Sequence, residues 1–200
     1  MTPSTSSEPF EAVLQALLIA LEARELDLRR RAEGVSSICG LIGSAMGLDQ
    51  ATLSTLRHGA LVHDIGNIGI PDAILLKPTG LSDWEFQEIR LHPIIGEHII
   101  QPLQSFQSVR SLVRSHHEKL DGSGYPDRLS GAAIPTLVRI LSVADVYQTL
   151  RTERAYRVAF SHGQALKILS SEVERGWWDY HIVSILHSLP EPVPAAFEVF

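Results

Sequence analysis

Apolar residues recur at helical spacing along most of this sequence, and no run of residues alternates apolar and polar side chains as a half-buried strand would. The first such stretch has apolar residues at Phe10, Val13, Leu14, Leu17, Leu18, Leu21 and Leu28. This spacing forms one apolar face of a helix, which either packs on the core or forms the seam of a homodimer. The pattern therefore predicts an all-α chain.

Capping and helix-stopping residues predict where the helices begin and end. The first helical stretch covers about residues 9–31, or continues to 46, where Gly47 can end it. Asp49 is placed to cap the next helix, which we expect to end near Gly66. The following residues, rich in proline and glycine, predict a loop.

The strongest local pattern is the capping box formed by Ser82 and Glu85, which predicts a helix start. Pro93 disfavours helical geometry in the residue before it, and this predicts a helix junction at His92. Further helices are predicted at about 109–118, 137–150, 162–174 and 179–188.

Length and composition indicate a single domain. The chain has 200 residues, of which 44% are hydrophobic, and we expect a disordered N-terminus at 1–8, one domain at 9–189 and a Pro-rich tail at 190–200. The net charge of -6 argues against binding of a nucleic-acid polymer. No stretch predicts a membrane span. The single cysteine, Cys39, excludes an internal disulfide and suits the reducing cytoplasm.

Imidazoles and carboxylates recur along the helical scaffold in a pattern typical of a metal centre. They are His63, Asp64, His92, His116, His117 and Asp145. Borderline transition metals prefer such ligands, and two metals a few Å apart suit the attack of water on a phosphate ester. Consecutive residues of one helix point about 100° apart, so His63 and Asp64 can share a metal only if it lies off that face. Asp145 lies in an apolar stretch, where burying a carboxylate without a partner is costly.

A Gly-rich loop, Asp121-Gly122-Ser123-Gly124-Tyr125-Pro126, follows His116-His117-Glu118. Together with residues 63–72, these motifs resemble the HD-GYP family, bacterial phosphodiesterases of the HD superfamily that hydrolyse cyclic di-GMP. The resemblance covers about residues 20–189. It implies an HD-domain helical bundle with an extra C-terminal helical segment, so that residues 9–189 would form an HD-GYP-like domain.

The resemblance also implies the roles of single residues. The metal ligands would be His63, Asp64, His92, His116, His117 and Asp145, with Asp64 bridging two metals. The catalytic residues would be His63, Asp64 and Asn67, and the substrate-binding residues would be Arg154, Arg157, Tyr125 and Gly124. The expected cofactors are one to two divalent metals per chain, iron or manganese, with zinc or nickel as alternatives. The expected partners are cyclic di-GMP and, through the Gly-Tyr-Pro loop, a diguanylate cyclase.

Two residues depart from the family pattern. Arg31 stands where the family has a histidine on the first helix, and an arginine cannot ligate a metal at ordinary pH. Arg31 could instead pair with Asp64 or Asp145 and stand in for a missing cation. Asn67 stands where the family usually has a lysine that reaches the scissile phosphate, so this position brings no charge. Neither departure threatens the fold, but both threaten catalysis.

Three functions remain open from the sequence. The first is an active cyclic di-GMP phosphodiesterase that produces pGpG or GMP through metal-activated water. The second is a degenerate relative that binds nucleotide or a diguanylate cyclase without turnover, which Arg31 and Asn67 favour. The third is an HD-type phosphohydrolase that acts on another nucleotide.

Overall fold

The computed structural model of the chain describes residues 10–24, 26–153 and 158–191. Throughout these ranges the chain is built of helices and loops without a strand, which confirms the all-α prediction. The α-helices are α1 (Phe10–Arg24), α2 (Leu26–Ala45), α3 (Gln50–Val62), α4 (Asp72–Leu75), α5 (Asp83–Ile89), α6 (His92–Ile100), α7 (Arg110–Ser115), α8 (Thr136–Arg151), α9 (His162–Glu174) and α10 (Tyr180–Ser188). Short 3-10 helices lie at Ile65–Gly69, Gln104–Val109 and Gly131–Ala133.

The predicted capping residues are found at the helix ends. Asp49 caps α3 by accepting the N–H of Thr52 at 2.8 Å. Ser82 and Glu85 form the reciprocal capping box of α5. Gly47 has a φ of 74°, the left-handed conformation that ends the preceding helix. These local residues therefore position the helices as the sequence predicted.

The prediction that the third helix extends to Gly66 was wrong. Helix α3 ends at Val62, His63 is its C-terminal cap, and Asp64 has a φ of -94° and a ψ of 9°. A separate 3-10 helix, Ile65–Gly69, follows. His63 and Asp64 are therefore not consecutive residues of one helix, and the angular difficulty of sharing a metal does not apply to them.

The segment after the end of α3 packs closely against α6 and requires glycine at position 66. The segment around Gly66 lies so close to α6 that a Cβ atom on this residue would be 1.8 Å from the carbonyl oxygen of His92 and 2.6 Å from the nitrogen of Gly96. Arg24 of α1 holds the same segment from the other side, since its guanidinium donates to the carbonyl of Ile68 at 2.9 Å. The segment after Asp64 is thus fixed between α1 and α6.

The remaining helices pack around α2 and α8. Helix α2 contacts α3 and α8 over much of its length, α1 covers α2, and α9 and α10 pack on α8. Fully buried residues from five helices form the core: Leu21, Val35, Leu56, Leu112 and Val143. The first predicted helical stretch corresponds to two helices, α1 and α2, and residue 25 between them lies outside the described residues. The predicted extra helical segment at the C-terminus corresponds to α9 and α10.

The predicted terminal segments, 1–8 and most of 190–200, also lie outside the described residues, so their disorder stays a prediction. In the portion of the chain that is described, no helix has the length and apolar character needed to cross a membrane.

Candidate metal centre

Three predicted ligands lie at helix ends that meet in the interior. His63 caps α3, His92 begins α6, and His116 follows α7. Asp64 lies beside them, and Asp145 projects from the middle of α8. All five side chains are buried. The fold therefore brings together residues that are far apart in sequence.

Each of the three imidazoles is oriented by a backbone carbonyl three residues earlier. The Nδ1 atoms of His63, His92 and His116 lie 2.7, 2.7 and 2.9 Å from the carbonyl oxygens of Ala60, Ile89 and Val113, respectively. A carbonyl only accepts, so each Nδ1 carries a proton, and in the neutral imidazole each Nε2 presents a lone pair. This is the tautomer in which an imidazole binds metal through Nε2.

Two of these Nε2 atoms face each other, and the third makes no hydrogen bond. The Nε2 atoms of His92 and His116 lie 3.1 Å apart. The Nε2 atom of His63 is buried and makes no hydrogen bond within the described ranges. Lone pairs held this close in a buried site repel, and a bound cation would relieve that repulsion. The donor set therefore fits a divalent metal.

The carboxylate of Asp64 lies at the centre of this group and has two different sides. Its Oδ1 atom lies 3.3 Å from Nε2 of His92 and 3.8 Å from Nε2 of His116. Its Oδ2 atom lies 3.4 Å from Nε2 of His63 and accepts a hydrogen bond from the guanidinium of Arg31. Asp64 thus faces His92 and His116 with Oδ1, and His63 and Arg31 with Oδ2.

The predicted ligands fall into two subsets around Asp64. Asp64, His92, His116 and His117 offer ligand atoms that all lie within 4.8 Å of one another. His63 lies towards Asp145, whose Oδ1 atom is 3.6 Å from Nε2 of His63. All six predicted residues are therefore neighbours, but only four of them form a compact set.

Burial and neighbouring charges set the protonation of these groups. Burial and the nearby imidazoles hold the pKa of His116 well below its usual range, and burial lowers the pKa of His117 to about 3. Burial opposes ionisation of Asp64, but His63 and Arg31 outweigh it and lower the pKa of this carboxyl well below its ordinary value. At neutral pH His116 and His117 are accordingly neutral imidazoles and Asp64 is an ionised carboxylate, the protonation states that ligate metals.

The Gly-rich loop is fixed to the segment that carries the paired histidines. The ring of Tyr125 stacks on His117, with centroids 4.8 Å apart, and a Cβ atom on Gly124 would lie 2.5 Å from Cα of Glu118. The buried carboxylate of Glu118 accepts the N–H of Asp127 at 2.7 Å, beyond the loop. The loop can therefore reach this position only with glycine at 124.

Two residues near the site were not found from the sequence. Glu118 accepts a second backbone N–H, from Leu129 at 3.0 Å, and so fixes the exit of the loop. The guanidinium carbon of Arg90 lies 4.5 Å from the ring centroid of Tyr125 and 5.6 Å from that of Phe86. The sequence offered one indication for each residue. Glu118 is a charged residue directly after a histidine pair, and Arg90 is a basic residue two positions before His92.

The remaining predicted site residues are Asn67, Arg154 and Arg157. Asn67 is buried on the 3-10 helix, and its N–H donates to the carbonyl of Asp64 at 2.9 Å. Arg154 and Arg157 lie outside the described residues, so their proposed contacts with substrate stay predictions.

Comparisons with known proteins identify relatives of this chain. A family model described as "HD domain" matches residues 14–182. The cyclic di-GMP phosphodiesterase response regulator RpfG of Xanthomonas campestris pv. campestris is 38% identical over 161 residues, which are 80% of this chain and 43% of that protein. The 3'3'-cGAMP-specific phosphodiesterase 3 of Vibrio cholerae is 33% identical over 163 residues, which are 82% of this chain and 35% of that protein.

Solved structures share the fold. Bd1817, described as a HDG"Y"P protein from Bdellovibrio bacteriovorus, superposes with a TM-score of 0.68 at 22% identity over 80% of this chain and 51% of that chain. The HD domain of the L. monocytogenes phosphodiesterase PgpH, solved with cyclic-di-AMP, superposes with a TM-score of 0.62 at 14% identity over 86% of this chain and 92% of that chain. The chain spans less than half the length of the two curated relatives.

Proposed function

We propose, because this chain belongs to the HD domain family, that it hydrolyses cyclic di-GMP to pGpG or GMP with water activated by bound divalent metal. The observation that carries the proposal is the convergence of three buried imidazole Nε2 atoms on the carboxylate of Asp64. The name of the Xanthomonas relative, a cyclic di-GMP phosphodiesterase, supports the choice of substrate. Residues 9–189 would form the catalytic, HD-GYP-like domain.

The metal would be held by the clustered side chains. The candidate ligands are His63, Asp64, His92, His116, His117 and Asp145, with iron or manganese as the expected metal and zinc or nickel as alternatives. When bound, such a metal supplies a Lewis acid that polarises the scissile phosphate and lowers the pKa of the attacking water. The protein contributes imidazoles that are already oriented by backbone carbonyls, so little rearrangement is needed to bind it.

We assign catalytic roles to His63, Asp64 and Asn67. The first two orient the reacting groups around the metal, and the amide of Asn67 donates a hydrogen bond to the scissile phosphate. An amide brings no positive charge to the transition state. By analogy with the loss of an oxyanion-hole donor, we expect turnover to be about 10²–10³ slower than with a lysine at this position.

The substrate would lie against the Gly-rich loop. His117 and Arg90 both pack on the ring of Tyr125, so this residue would contact substrate through its hydroxyl. Burial raises the pKa of Tyr125, so the hydroxyl stays a donor. Arg90 adds positive charge for a phosphate, and we retain Gly124, Arg154 and Arg157 as substrate-binding residues.

The same loop would contact a protein partner. Asp121 and Ser123 are exposed on its outer side, whereas Gly124 is buried. Binding of a diguanylate cyclase would therefore use the outer residues and leave Tyr125 to the site.

One alternative concerns the substrate. The Vibrio relative is named for 3'3'-cGAMP and resembles this chain almost as much as the Xanthomonas protein does, at 33% against 38% identity. A hybrid guanine–adenine cyclic dinucleotide is therefore the second candidate substrate of the same phosphodiesterase chemistry.

Another alternative is a module that binds without turnover. The hydrogen bond from Arg31 to Asp64 favours it, because the guanidinium uses a carboxylate oxygen that could otherwise bind metal. Nucleotide binding without product, in protein that holds metal, would support this alternative.

The deciding experiment measures product formation. Protein purified without oxygen and loaded with Fe²⁺ or Mn²⁺ is incubated with cyclic di-GMP, 3'3'-cGAMP or cyclic di-AMP, and the products are separated by chromatography. We expect metal-dependent pGpG or GMP from cyclic di-GMP, and none from the His63→Ala/Asp64→Ala variant. Preferred turnover of 3'3'-cGAMP would select the other substrate. Absence of product from all three nucleotides, with metal bound, would contradict the phosphodiesterase.

A further inference from the structure

We infer that Arg31 occupies the place of a second cation, so that this chain binds a single divalent metal ion on the Oδ1 side of Asp64. The inference rests on the metal centre of the proposed function but does not depend on the identity of the substrate or on turnover. It follows from how the two oxygens of Asp64 are used and from where the neighbouring ligands lie.

The two oxygens of Asp64 are committed to different partners. Oδ1 faces Nε2 of His92 at 3.3 Å and Nε2 of His116 at 3.8 Å. Oδ2 accepts a hydrogen bond from Arg31, whose side chain reaches it from α2 and is only 23% exposed. A carboxylate bridges two metals most directly by binding one with each oxygen, and here the guanidinium already occupies a lone pair of Oδ2.

The ligands are also divided unequally. His92 and His116 face Oδ1, and together with Asp64 and His117 they form the compact set of four ligand atoms. On the Oδ2 side, His63 lies 3.4 Å from Asp64 and 3.6 Å from Asp145. Four protein ligands suffice for one metal, whereas the second side offers fewer new ligands and holds an arginine.

Arg31 also opposes a second metal electrostatically. A guanidinium is permanently charged and has no lone pair, so it cannot become a ligand and repels a nearby dication. The positive charge of one dication and Arg31 exceeds the negative charge of the two carboxylates, Asp64 and Asp145, by one unit. That balance still attracts a phosphodiester anion. A second dication would add charge that neither carboxylate balances.

The arginine would then take over part of what a second metal does. Its guanidinium is fixed beside the predicted metal position and can donate to a phosphate oxygen with any N–H group directed into the site.

The test counts metal ions. Full-length protein is loaded with excess Mn²⁺ without oxygen and desalted, and bound manganese per folded chain is measured by elemental analysis and by electron paramagnetic resonance. We expect one Mn²⁺ per chain and the spectrum of an isolated ion. The Arg31→His variant, which replaces the guanidinium with an imidazole, should bind two and show a coupled pair.

Arg30→His is the matched control. Arg30 precedes Arg31 on α2, is 61% exposed and pairs with Asp27, so the change introduces the same side chain away from the site. This variant should keep one Mn²⁺ per chain. Two coupled ions in the unaltered protein, or a single ion in folded Arg31→His, would overturn the inference.

A second variant keeps the test informative if Arg31→His does not fold. Arg31→Met keeps the length of the side chain, removes its charge and offers manganese only a poor sulfur ligand. We expect Mn²⁺ to bind this variant about ten-fold more tightly, since a cation near the site is lost. Unchanged affinity would overturn the inference.

The outcome is distinguishable from failure of the proposed function. One Mn²⁺ per chain without nucleotide hydrolysis would reject the phosphodiesterase and leave the single-metal inference standing. No bound Mn²⁺ would reject both.

Discussion

The Nε2 atoms of His92 and His116 lie 3.1 Å apart, and the hydrogen bonds at their Nδ1 atoms leave a lone pair on each Nε2 when both imidazoles are neutral. Two lone pairs are thus held face to face in the protein interior. Burial and the neighbouring imidazoles, which lower the pKa of His116, disfavour a proton as the mediator. A metal ion satisfies both nitrogens, and this pair is therefore the first place to test the centre.

His116→Ala is expected to weaken metal binding. The change removes one of four clustered ligand atoms, and loss of metal-site residues commonly costs about 10–100-fold in affinity even outside direct coordination. Affinity is measured by competition with a chelator of known strength. His98→Ala, an exposed histidine on α6, is the control and should bind metal normally. Equal affinities for both variants would remove His116 from the centre.

Gly66→Ala is expected to disrupt the junction between the 3-10 helix and α6. The added methyl would lie 1.8 Å from the His92 carbonyl oxygen, so the backbone must move, at a cost of about 3 kcal/mol or more in the free energy of unfolding. Gly163→Ala in α9 meets nothing within 4 Å and should stabilise by about 0.5–1 kcal/mol. Urea unfolding of both variants measures the difference. Similar stabilities would contradict the close approach at Gly66.

Glu118→Gln is expected to loosen the Gly-rich loop. The carboxylate of Glu118 accepts the N–H groups of Asp127 and Leu129, and an amide can replace only one acceptor oxygen. Charge-assisted hydrogen bonds contribute about 1.5–3 kcal/mol each, so the variant should unfold about 2 kcal/mol more easily. Faster amide hydrogen exchange at 127–129 should accompany the change. The exposed Glu174→Gln serves as control, and a loss of the same size there would argue against a specific effect.

The metal-free protein is expected to lose stability as the pH falls from about 6.5 to 5. The folded-state pKa of His117 is lowered to about 3 and that of His116 is also lowered, so the unfolded chain binds protons in this range and the folded chain does not. His63 has a raised pKa, so its contribution is already complete below about 6.5 and adds no slope there.

Denaturant unfolding at several pH values measures this effect. Each depressed histidine contributes up to about 1.4 kcal/mol per pH unit, and His117→Gln should therefore show a shallower dependence. His181→Gln, at an exposed position of α10, should keep the slope of the unaltered protein. Stability independent of pH between 6.5 and 5 would mean that these imidazoles are not buried in solution.

The helix boundaries show what local sequence can predict. The caps at Asp49 and Ser82, the stop at Gly47 and the junction before Pro93 each depend on residues within one turn, and all four were predicted. The end of α3 was misplaced because it depends on the approach of Gly66 to the His92 carbonyl, a contact between segments far apart in sequence.

Some features of the candidate site were likewise predictable from the sequence, and others depended on the tertiary structure. The sequence alone determined the all-α class, the six metal-ligand candidates and the anomaly at Arg31, because residue type and spacing carry that information. Only the tertiary structure decided that Arg31 donates a hydrogen bond to Asp64, that Asp64 presents its two oxygens to different partners, and that Glu118 fixes the Gly-rich loop. These relationships depend on how buried helix ends meet, and that is set by packing of the whole core rather than by any local pattern.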